Sequence, residues 1–148
     1  MVRTSTLVGR LCAVALVGLA VACAQLMPAK NTGPEGLLAG TAWQLQLLGT
    51  QGAIEAQQPT LEFEKGDKIS GSGSCNRFNG TVTISGKAMS IGPLAATRMA
   101  CAPALDQQEQ TYFAALQQAE WFLVAGTTLT IYTRSMDQPL VFFRTQPQ

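Results

Sequence analysis

Cysteine is the residue type with which this chain could do most chemistry, and histidine is missing. The sequence contains four cysteines and no histidine, which excludes Ser-His-Asp and Cys-His catalysis and the commonest zinc sites. Cys12 and Cys23 lie near the amino terminus, so Cys75 and Cys101 remain for the body of the chain. In an exported protein such a pair favours a disulfide. Two buried free thiols are the alternative, and a reactive thiol, which needs a nearby base or cation, is a weaker one.

The amino-terminal segment has the pattern of a bacterial export signal. Arg3 and Arg10 precede an uncharged apolar run over residues 11–22, shorter than the roughly 20 residues that span a bilayer. The run ends in Ala20-Val21-Ala22-Cys23, which resembles a lipobox. The pattern predicts a signal peptide over residues 1–22 and an acylated Cys23 that anchors the protein in the membrane. Ordinary secretion with an unmodified Cys23 is the alternative.

The residues that follow predict where the mature protein resides. Residues 23–39 are rich in proline and glycine, which indicates a lipidated tether, and a domain is expected over residues 40–148. The residue after the cysteine is Ala24 rather than aspartate, which resembles the address of an outer-membrane lipoprotein. We therefore expect a lipid-anchored protein of the cell envelope, on the outer membrane and facing the periplasm.

Charge and carboxylate spacing give no support to nucleic-acid binding or to acid–base catalysis. Removal of Arg3 and Arg10 with the signal leaves eight basic against nine acidic residues, without the basic patch that nucleic acids require. Glu62 and Glu64 share one face of a predicted strand and are the candidates for a carboxylate pair. Because lysines stand beside them, a solvated strand edge is the better interpretation. No enzymatic activity, cofactor or metal is expected.

Alternating apolar and polar residues predict an antiparallel sheet with one wet face. Turn-forming residues separate the runs, and Asn79-Gly80 is typical of a type I′ hairpin turn. The segment 106–120 has helical spacing instead, with Asp106 and Glu109 placed as a capping box. These patterns predict an α+β fold, in which a curved, barrel-like antiparallel sheet packs on one helix. The apolar alternations and the helix face are, in order, Trp43, Leu45, Leu47, Leu61, Phe63, Val82, Ile84, Met89, Ile91, Leu129 and Ile131, then Leu105, Tyr112, Phe113, Leu116 and Ala119.

Four stretches of the sequence resemble the META domain family of HslJ-like heat-shock lipoproteins. They are Gly40-Thr41-Ala42-Trp43-Gln44-Leu45; residues 69–80, with Cys75-Asn76-Arg77-Phe78-Asn79-Gly80; residues 94–101, with Thr97-Arg98-Met99-Ala100-Cys101; and Glu109 with Phe113, Leu116, Trp121 and Leu129. Where the family usually has glycine before the first cysteine, this chain has Ser74. The resemblance covers nearly all of residues 40–144. It implies an envelope protein connected with heat shock or drug tolerance, and it implies no known reaction.

The residues around the two cysteines allow two interpretations. Asn76, with glycines before it, can bond to nearby backbone and hold an irregular turn, which would make the cluster a fold-defining knot. The alternative is a small recognition surface formed by Asn76, Arg77, Phe78 and Arg98. The functional prediction is a non-enzymatic envelope lipoprotein with a binding or structural role in envelope stress or drug tolerance, and the partners considered are an envelope protein or a small lipophilic ligand.

A carrier of small lipophilic ligands is the second functional hypothesis. Phe63, Met89, Trp121 and Phe122 are the residues that could line a pocket inside the curved sheet. Core packing explains the same residues, because the interior of a small barrel is commonly filled by side chains.

Overall fold

The structure, a computed structural model, describes residues 34–146 except residues 136 and 138. The predicted signal peptide, Cys23 and most of the predicted tether lie outside these residues and stay predictions. The elements, in chain order, are α1 (Pro34–Leu38), β1 (Thr41–Leu48), β2 (Gln51–Gly52), a 3₁₀ turn (Glu55–Gln57), β3 (Thr60–Phe63), β4 (Lys68–Ser72), β5 (Arg77–Ser85), β6 (Ala88–Ile91), β7 (Ala95–Ala96), α2 (Pro103–Leu116), β8 (Ala119–Ala125), β9 (Thr128–Thr133) and β10 (Leu140–Thr145).

Eight of these strands form a closed antiparallel barrel. Neighbours pair in the order β1, β3, β4, β5, β6, β8, β9, β10, and β10 pairs with β1 to close the ring. The two-residue strands lie outside the ring, β2 on β1 and β7 on β5. Closure leaves no unpaired edge among the eight strands. The predicted α+β fold with a barrel-like sheet and one main helix is therefore confirmed.

The apolar side chains of alternating strand positions fill the barrel. Trp43, Leu45, Leu61 and Ile131 are fully buried, as the alternation predicts. Leu47 differs, because the pairing of β1 with β10 shifts register between Leu45 and Leu47. Such a bulge reverses the side to which the following residues point. Leu47 is accordingly 41% exposed and Leu48 is buried in its place.

Helix α2 covers one end of the barrel. The ring of Tyr112 packs near Phe78 of β5 and Phe142 of β10, and its hydroxyl donates to the Thr60 carbonyl at the start of β3. These strands lie on different sides of the ring of strands, so the helix spans the opening between them. Tyr112, Ala115 and Leu116 are buried, which agrees with the predicted apolar helix face.

The predicted limits and cap of this helix were wrong. The helix begins at Pro103, where proline is favoured because a first-turn residue needs no N–H partner, and it ends at Leu116. Ala119, placed on the helix face by its spacing, begins β8. No side chain caps the amino terminus, so Asp106 and Glu109 do not form a capping box. The carboxylate of Asp106 accepts a hydrogen bond from Gln110 instead.

Two further boundaries differ from the sequence prediction. Asn79 and Gly80 lie inside β5 and form no hairpin turn. A Cβ at Gly80 would lie 2.7 Å from the end of the Leu94 side chain, which would have to move to admit it. The side chain of Leu38 is fully buried in the core. The folded part of the chain therefore includes residues that the sequence assigned to the tether.

Candidate functional site

A disulfide joins the loop after β4 to the segment before α2. The Sγ atoms of Cys75 and Cys101 are 2.02 Å apart and their Cα atoms 6.2 Å apart. This confirms the disulfide prediction and leaves neither cysteine as a free thiol. The bond fixes the loop beside the first turns of α2, where the most polar part of the interior lies.

The carboxylate of Glu109 occupies the centre of this polar interior. Oε2 accepts hydrogen bonds from the backbone N–H groups of Cys75, at 3.2 Å, and Asn76, at 2.7 Å. Oε1 accepts one from Nδ2 of Asn76, also at 2.7 Å. Glu109 is 5% exposed, and a carboxylate is buried at tolerable cost only when such donors replace its water shell.

The side chain of Asn76 links the carboxylate to the irregular segment between β7 and Cys101. Its Oδ1 accepts hydrogen bonds from the Thr97 hydroxyl, at 3.0 Å, and from the Met99 backbone N–H, at 2.7 Å. Its Nδ2 faces Glu109 and lies 3.5 Å from Sγ of Cys101. An amide is the one short side chain that offers acceptors on one side and donors on the other. Asn76 thus uses both ends of its amide, inside the fold.

Gln108, next to Glu109 on α2, ties a second loop to the helix. Its Oε1 accepts from the backbone N–H of Ile54, at 2.8 Å. Its Nε2 donates to the Ser74 hydroxyl, at 2.7 Å, and to the Gln57 carbonyl, at 3.4 Å. We call the connected set Ser74, Cys75, Asn76, Thr97, Cys101, Gln108 and Glu109 the polar clamp. The clamp fixes three chain segments against the first half of α2.

The sequence analysis did not predict that Gln108 and Glu109 bond to distant loops, although the position of Glu109 on the helix indicates it. Glu109 stands three and four residues before Tyr112 and Phe113, so it lies on the apolar side of the helix. A carboxylate on a buried helix face needs partners from elsewhere in the chain. An Asn-containing, glycine-rich loop tied by a cysteine to the start of the helix was the segment able to supply them.

The loop residues before Cys75 are shaped by this close approach. A Cβ on Gly73 would lie 2.5 Å from Cζ of Phe113 and 2.6 Å from Cγ of Glu109, so only glycine lets the backbone reach the carboxylate. Ser74 has φ of 122°, a conformation that favours glycine. This is the position at which the family usually has glycine. The Ser74 hydroxyl partly offsets the strain because it accepts the bond from Gln108.

The predicted recognition residues separate into two pairs. Asn76 is 4% and Phe78 2% exposed, and the Phe78 ring packs edge-on against Phe113. These two residues hold the interior together and do not face a partner. Arg77 and Arg98 are exposed and lie at the same end of the pairing between β5 and β7, Arg77 on β5 and Arg98 two residues past β7.

The residues proposed for a ligand pocket do not share one cavity. Phe63, Met89 and Phe122 are almost fully buried in the core, whereas Trp121 is 40% exposed on the outside of the barrel. Trp121 stacks on Tyr132, with ring centroids 3.5 Å apart. Of the two candidate carboxylates, Glu62 is partly exposed and Glu64 exposed.

Burial has one marked effect on a titratable group. It raises the pKa of the Tyr112 hydroxyl well above its usual value, because an ionised phenolate would lose its hydration inside the core.

In the part of the chain that the structure describes, no three His, Cys, Asp or Glu side chains lie close enough to hold a metal ion. Over the same residues, 34–146 without 136 and 138, no helix is both long and apolar enough to cross a membrane.

The fold and the clamp together define a class of small barrels in which one helix closes the barrel, and a buried glutamate and a disulfide hold that helix to a glycine-rich loop. The model of the META domain family matches residues 36–147. The chain therefore belongs to the META domain family, which confirms the resemblance found in the sequence.

Solved structures agree with this assignment. An NMR structure of a protein from Burkholderia xenovorans is 29% identical, covers 76% of this chain and 86% of its own, and has a TM-score of 0.63. A second NMR structure is 27% identical, with coverage of 73% and 92% and a TM-score of 0.60. A DUF4847 family protein from Bacteroides vulgatus ATCC 8482, 13% identical over 78% of this chain and 100% of its own, has a TM-score of 0.56 and shares the fold. A search of curated proteins found no match.

Proposed function

We propose that this protein is a non-enzymatic lipoprotein of the cell envelope whose META domain is a rigid binding or structural module in envelope stress or drug tolerance. The observation that carries the proposal is that the buried Glu109 carboxylate accepts three hydrogen bonds from N–H groups of Cys75 and Asn76. A catalytic carboxylate must keep an oxygen within reach of substrate. Both oxygens of Glu109 are instead buried and hydrogen-bonded to the loop.

The same reasoning applies to the other reactive side chains of the clamp. Both sulfurs form one disulfide, and each end of the Asn76 amide has a partner within the chain. The clamp therefore orders a loop and does not present a nucleophile or a base. A loop ordered in this way gives the exposed Arg77 and Arg98 fixed positions, as a binding surface requires.

The location follows from the amino-terminal sequence. The lipobox-like Ala20-Val21-Ala22-Cys23 supports an acyl anchor, and Ala24 supports the outer membrane. Acyl chains contribute about 0.8 kcal/mol for each buried CH₂ group, so the two or three chains of a bacterial lipoprotein hold it stably. A disulfide is also what an oxidising compartment outside the cytoplasm allows.

Intact-mass spectrometry of the protein from the membrane fraction of its host tests the location. We expect the mass of residues 23–148 plus acyl groups, with Cys75 and Cys101 resistant to alkylation until they are reduced. An unacylated chain would contradict the lipoprotein assignment.

The binding surface is tested by the double variant Arg77→Ala/Arg98→Ala, compared with Lys65→Ala/Lys87→Ala, which removes two exposed charges elsewhere. In a host strain that lacks the protein, the first variant is expected to fail to restore growth under heat or drug stress, and the second to restore it. Equal growth of both variants would exclude this surface. Turnover of an envelope substrate by the purified protein would contradict the non-enzymatic assignment.

A further inference from the structure

One side of the barrel wall is apolar on the outside as well as on the inside. Leu47, Trp121, Leu123 and Phe143 are 41%, 40%, 41% and 51% exposed. They belong to β1, β8 and β10, which are consecutive in the ring once β9 is included. Strand residues whose side chains point outward in this way are usually polar when the outer face meets water.

The strand register places these side chains on the outer side of neighbouring strands, with Thr128 and Thr130 of β9 between those of β8 and β10. Trp121 lies opposite Tyr132, and the two rings are stacked within 5° of parallel. Leu123 and Val141 both lie opposite Thr130, from its two sides. We call the outward side chains the apolar face. Its members are Leu47, Trp121, Leu123, Tyr132, Val141 and Phe143.

The apolar face contains no charge, whereas the opposite half of the barrel does. The segments 44–47, 121–125, 128–132 and 141–143, which build the apolar face, have no Asp, Glu, Lys or Arg, and the exposed Glu120 and Arg144 directly adjoin two of them. The strands β3, β4 and β5 across the barrel carry Glu62, Lys68 and Arg77. An exposed apolar surface of this kind indicates a partner that is itself apolar.

The lipid anchor determines which apolar partner lies nearest. Ten residues lie between Cys23 and Pro34, and the eleven residue-to-residue steps at about 3.5 Å each reach ~40 Å at most. A compact domain of this size is roughly 30 Å across, so the barrel stays within about one diameter of the bilayer. The chain enters the barrel at β1, one of the four strands of the apolar face. A tether this short makes contact with the membrane effectively intramolecular.

We propose that the apolar face lies against the lipid bilayer that holds the anchor, at the boundary between acyl chains and headgroups. This inference rests on the proposed lipid anchor. Tryptophan and tyrosine favour that boundary because their rings are apolar while their N–H and O–H groups stay hydrated. Since the face is uncharged, its contact with the bilayer should change little with salt or with the anionic lipid content.

The two tryptophans provide a direct test. Trp43 is fully buried and Trp121 is on the apolar face, so Trp121→Phe leaves only the buried reporter. The purified acylated protein is placed in phosphatidylethanolamine and phosphatidylglycerol vesicles, with and without bromine on the acyl chains as a contact quencher. We expect bromine to remove most of the fluorescence that Trp121 contributes and to leave the Trp121→Phe variant unchanged.

A matched reporter on the other side of the barrel controls for general proximity. Thr83 is exposed on β5, and Thr83→Trp in the Trp121→Phe background places an indole there. Quenching of Trp121 no greater than that of this reporter would overturn the proposal. The double variant Leu123→Glu/Phe143→Lys should abolish the quenching of Trp121 while circular dichroism remains unchanged.

The remaining outcomes separate the anchor from the face. Intact mass of the same preparation shows whether acyl groups are present. Acylated protein whose Trp121 is not quenched would refute the apolar-face proposal alone, whereas unacylated protein would refute the proposed function on which it rests. If Trp121 is not quenched and the protein sediments as a dimer, a second copy of the chain covers the apolar face. That result would also overturn the proposal.

Discussion

The two halves of helix α2 meet the rest of the protein in opposite ways. In the first half, Gln108 and Glu109 are buried against loop backbone and make hydrogen bonds in the polar clamp. In the second half, Tyr112, Ala115 and Leu116 are buried against the side chains of the barrel core. The apolar half contributes burial free energy, which depends on area and tolerates many partners. The polar half selects one loop conformation, because every donor in it must meet one acceptor.

The largest effect is expected from Glu109→Gln, which tests the polar half. The new amide nitrogen would face either Nδ2 of Asn76 or the two backbone N–H groups, so donors would oppose donors. We expect the free energy of unfolding to fall by about 3–4 kcal/mol, measured by urea denaturation. Glu120→Gln removes an exposed carboxylate and should change stability little. A small loss of stability for Glu109→Gln would contradict the role of its hydrogen bonds in fixing one loop conformation.

A rescue sharpens the same test, because the polar half should behave as a unit. In the double variant Glu109→Gln/Asn76→Asp, the new amide nitrogen can donate to the new carboxylate, and the other oxygens keep their donors. The double variant should therefore be more stable than the sum of the single losses predicts, by more than about 1 kcal/mol. Strictly additive losses would contradict the hydrogen-bond arrangement.

Leu116→Ala tests the apolar half. Leu116 is fully buried, and its truncation should cost about 3 kcal/mol through lost transfer free energy and a cavity. Combined with Glu109→Gln, two turns away on the same helix, its effect should be close to additive. Strong coupling between these two variants in urea denaturation would remove the distinction between the halves.

A pH effect is expected where the helix changes from polar to apolar contacts, at Tyr112. Its raised pKa means that the unfolded chain loses the phenolic proton near pH 10 while the folded chain retains it. Stability should thus be complete below about pH 10 and fall above it by up to ~1.4 kcal/mol per pH unit. Tyr112→Phe should lose this slope and the hydroxyl bond to Thr60, whereas Tyr132→Phe should keep the slope. Identical alkaline profiles for all three proteins would refute the assignment to Tyr112.

The smallest effect is expected at Ser74, where the clamp strains its own backbone. Ser74→Gly relieves the positive φ and loses one hydrogen bond, whereas Ser74→Ala loses the bond and keeps the strain. The glycine variant should be more stable than the alanine variant by about 1 kcal/mol, the reverse of the usual order at ordinary positions. The measurement is thermal unfolding of the Ser74→Gly and Ser74→Ala variants. An alanine variant at least as stable as the glycine variant would contradict the backbone strain at this position.

Sequence patterns predicted most of the barrel because they reflect local physics. The alternation in β3 and β9 follows from the two-residue period of a strand, and Leu61, Phe63, Leu129 and Ile131 are buried accordingly. The pattern was misleading where a bulge or a neighbouring element intervened. Leu47 lies after a register shift, and Ala119 starts a strand although its spacing suits the helix.

The candidate site was predicted less completely, for a physical reason. Cys75 and Cys101 were paired correctly, since only two cysteines stand in the sequence after Cys23. Glu109 was assigned to a local cap because the spacing from Asp106 permits one, but its partners are more than thirty residues away in the chain. Asn79-Gly80 was misassigned in the same way, because a local turn motif carries no information about the pairing of this segment with β4 and β7.

The amino-acid sequence by itself determined most of the secondary-structure pattern, the disulfide pair and the family, because these depend on residue types and on short-range periodicity. Only the tertiary structure decided that Asn76 and Phe78 are buried, that Glu109 bonds to a loop, and that six outward side chains form one apolar face. Burial, long-range hydrogen bonds and surface continuity depend on which strands become neighbours. The closure of the barrel through β1 and β10 set those neighbours, and no local pattern in the chain specifies them.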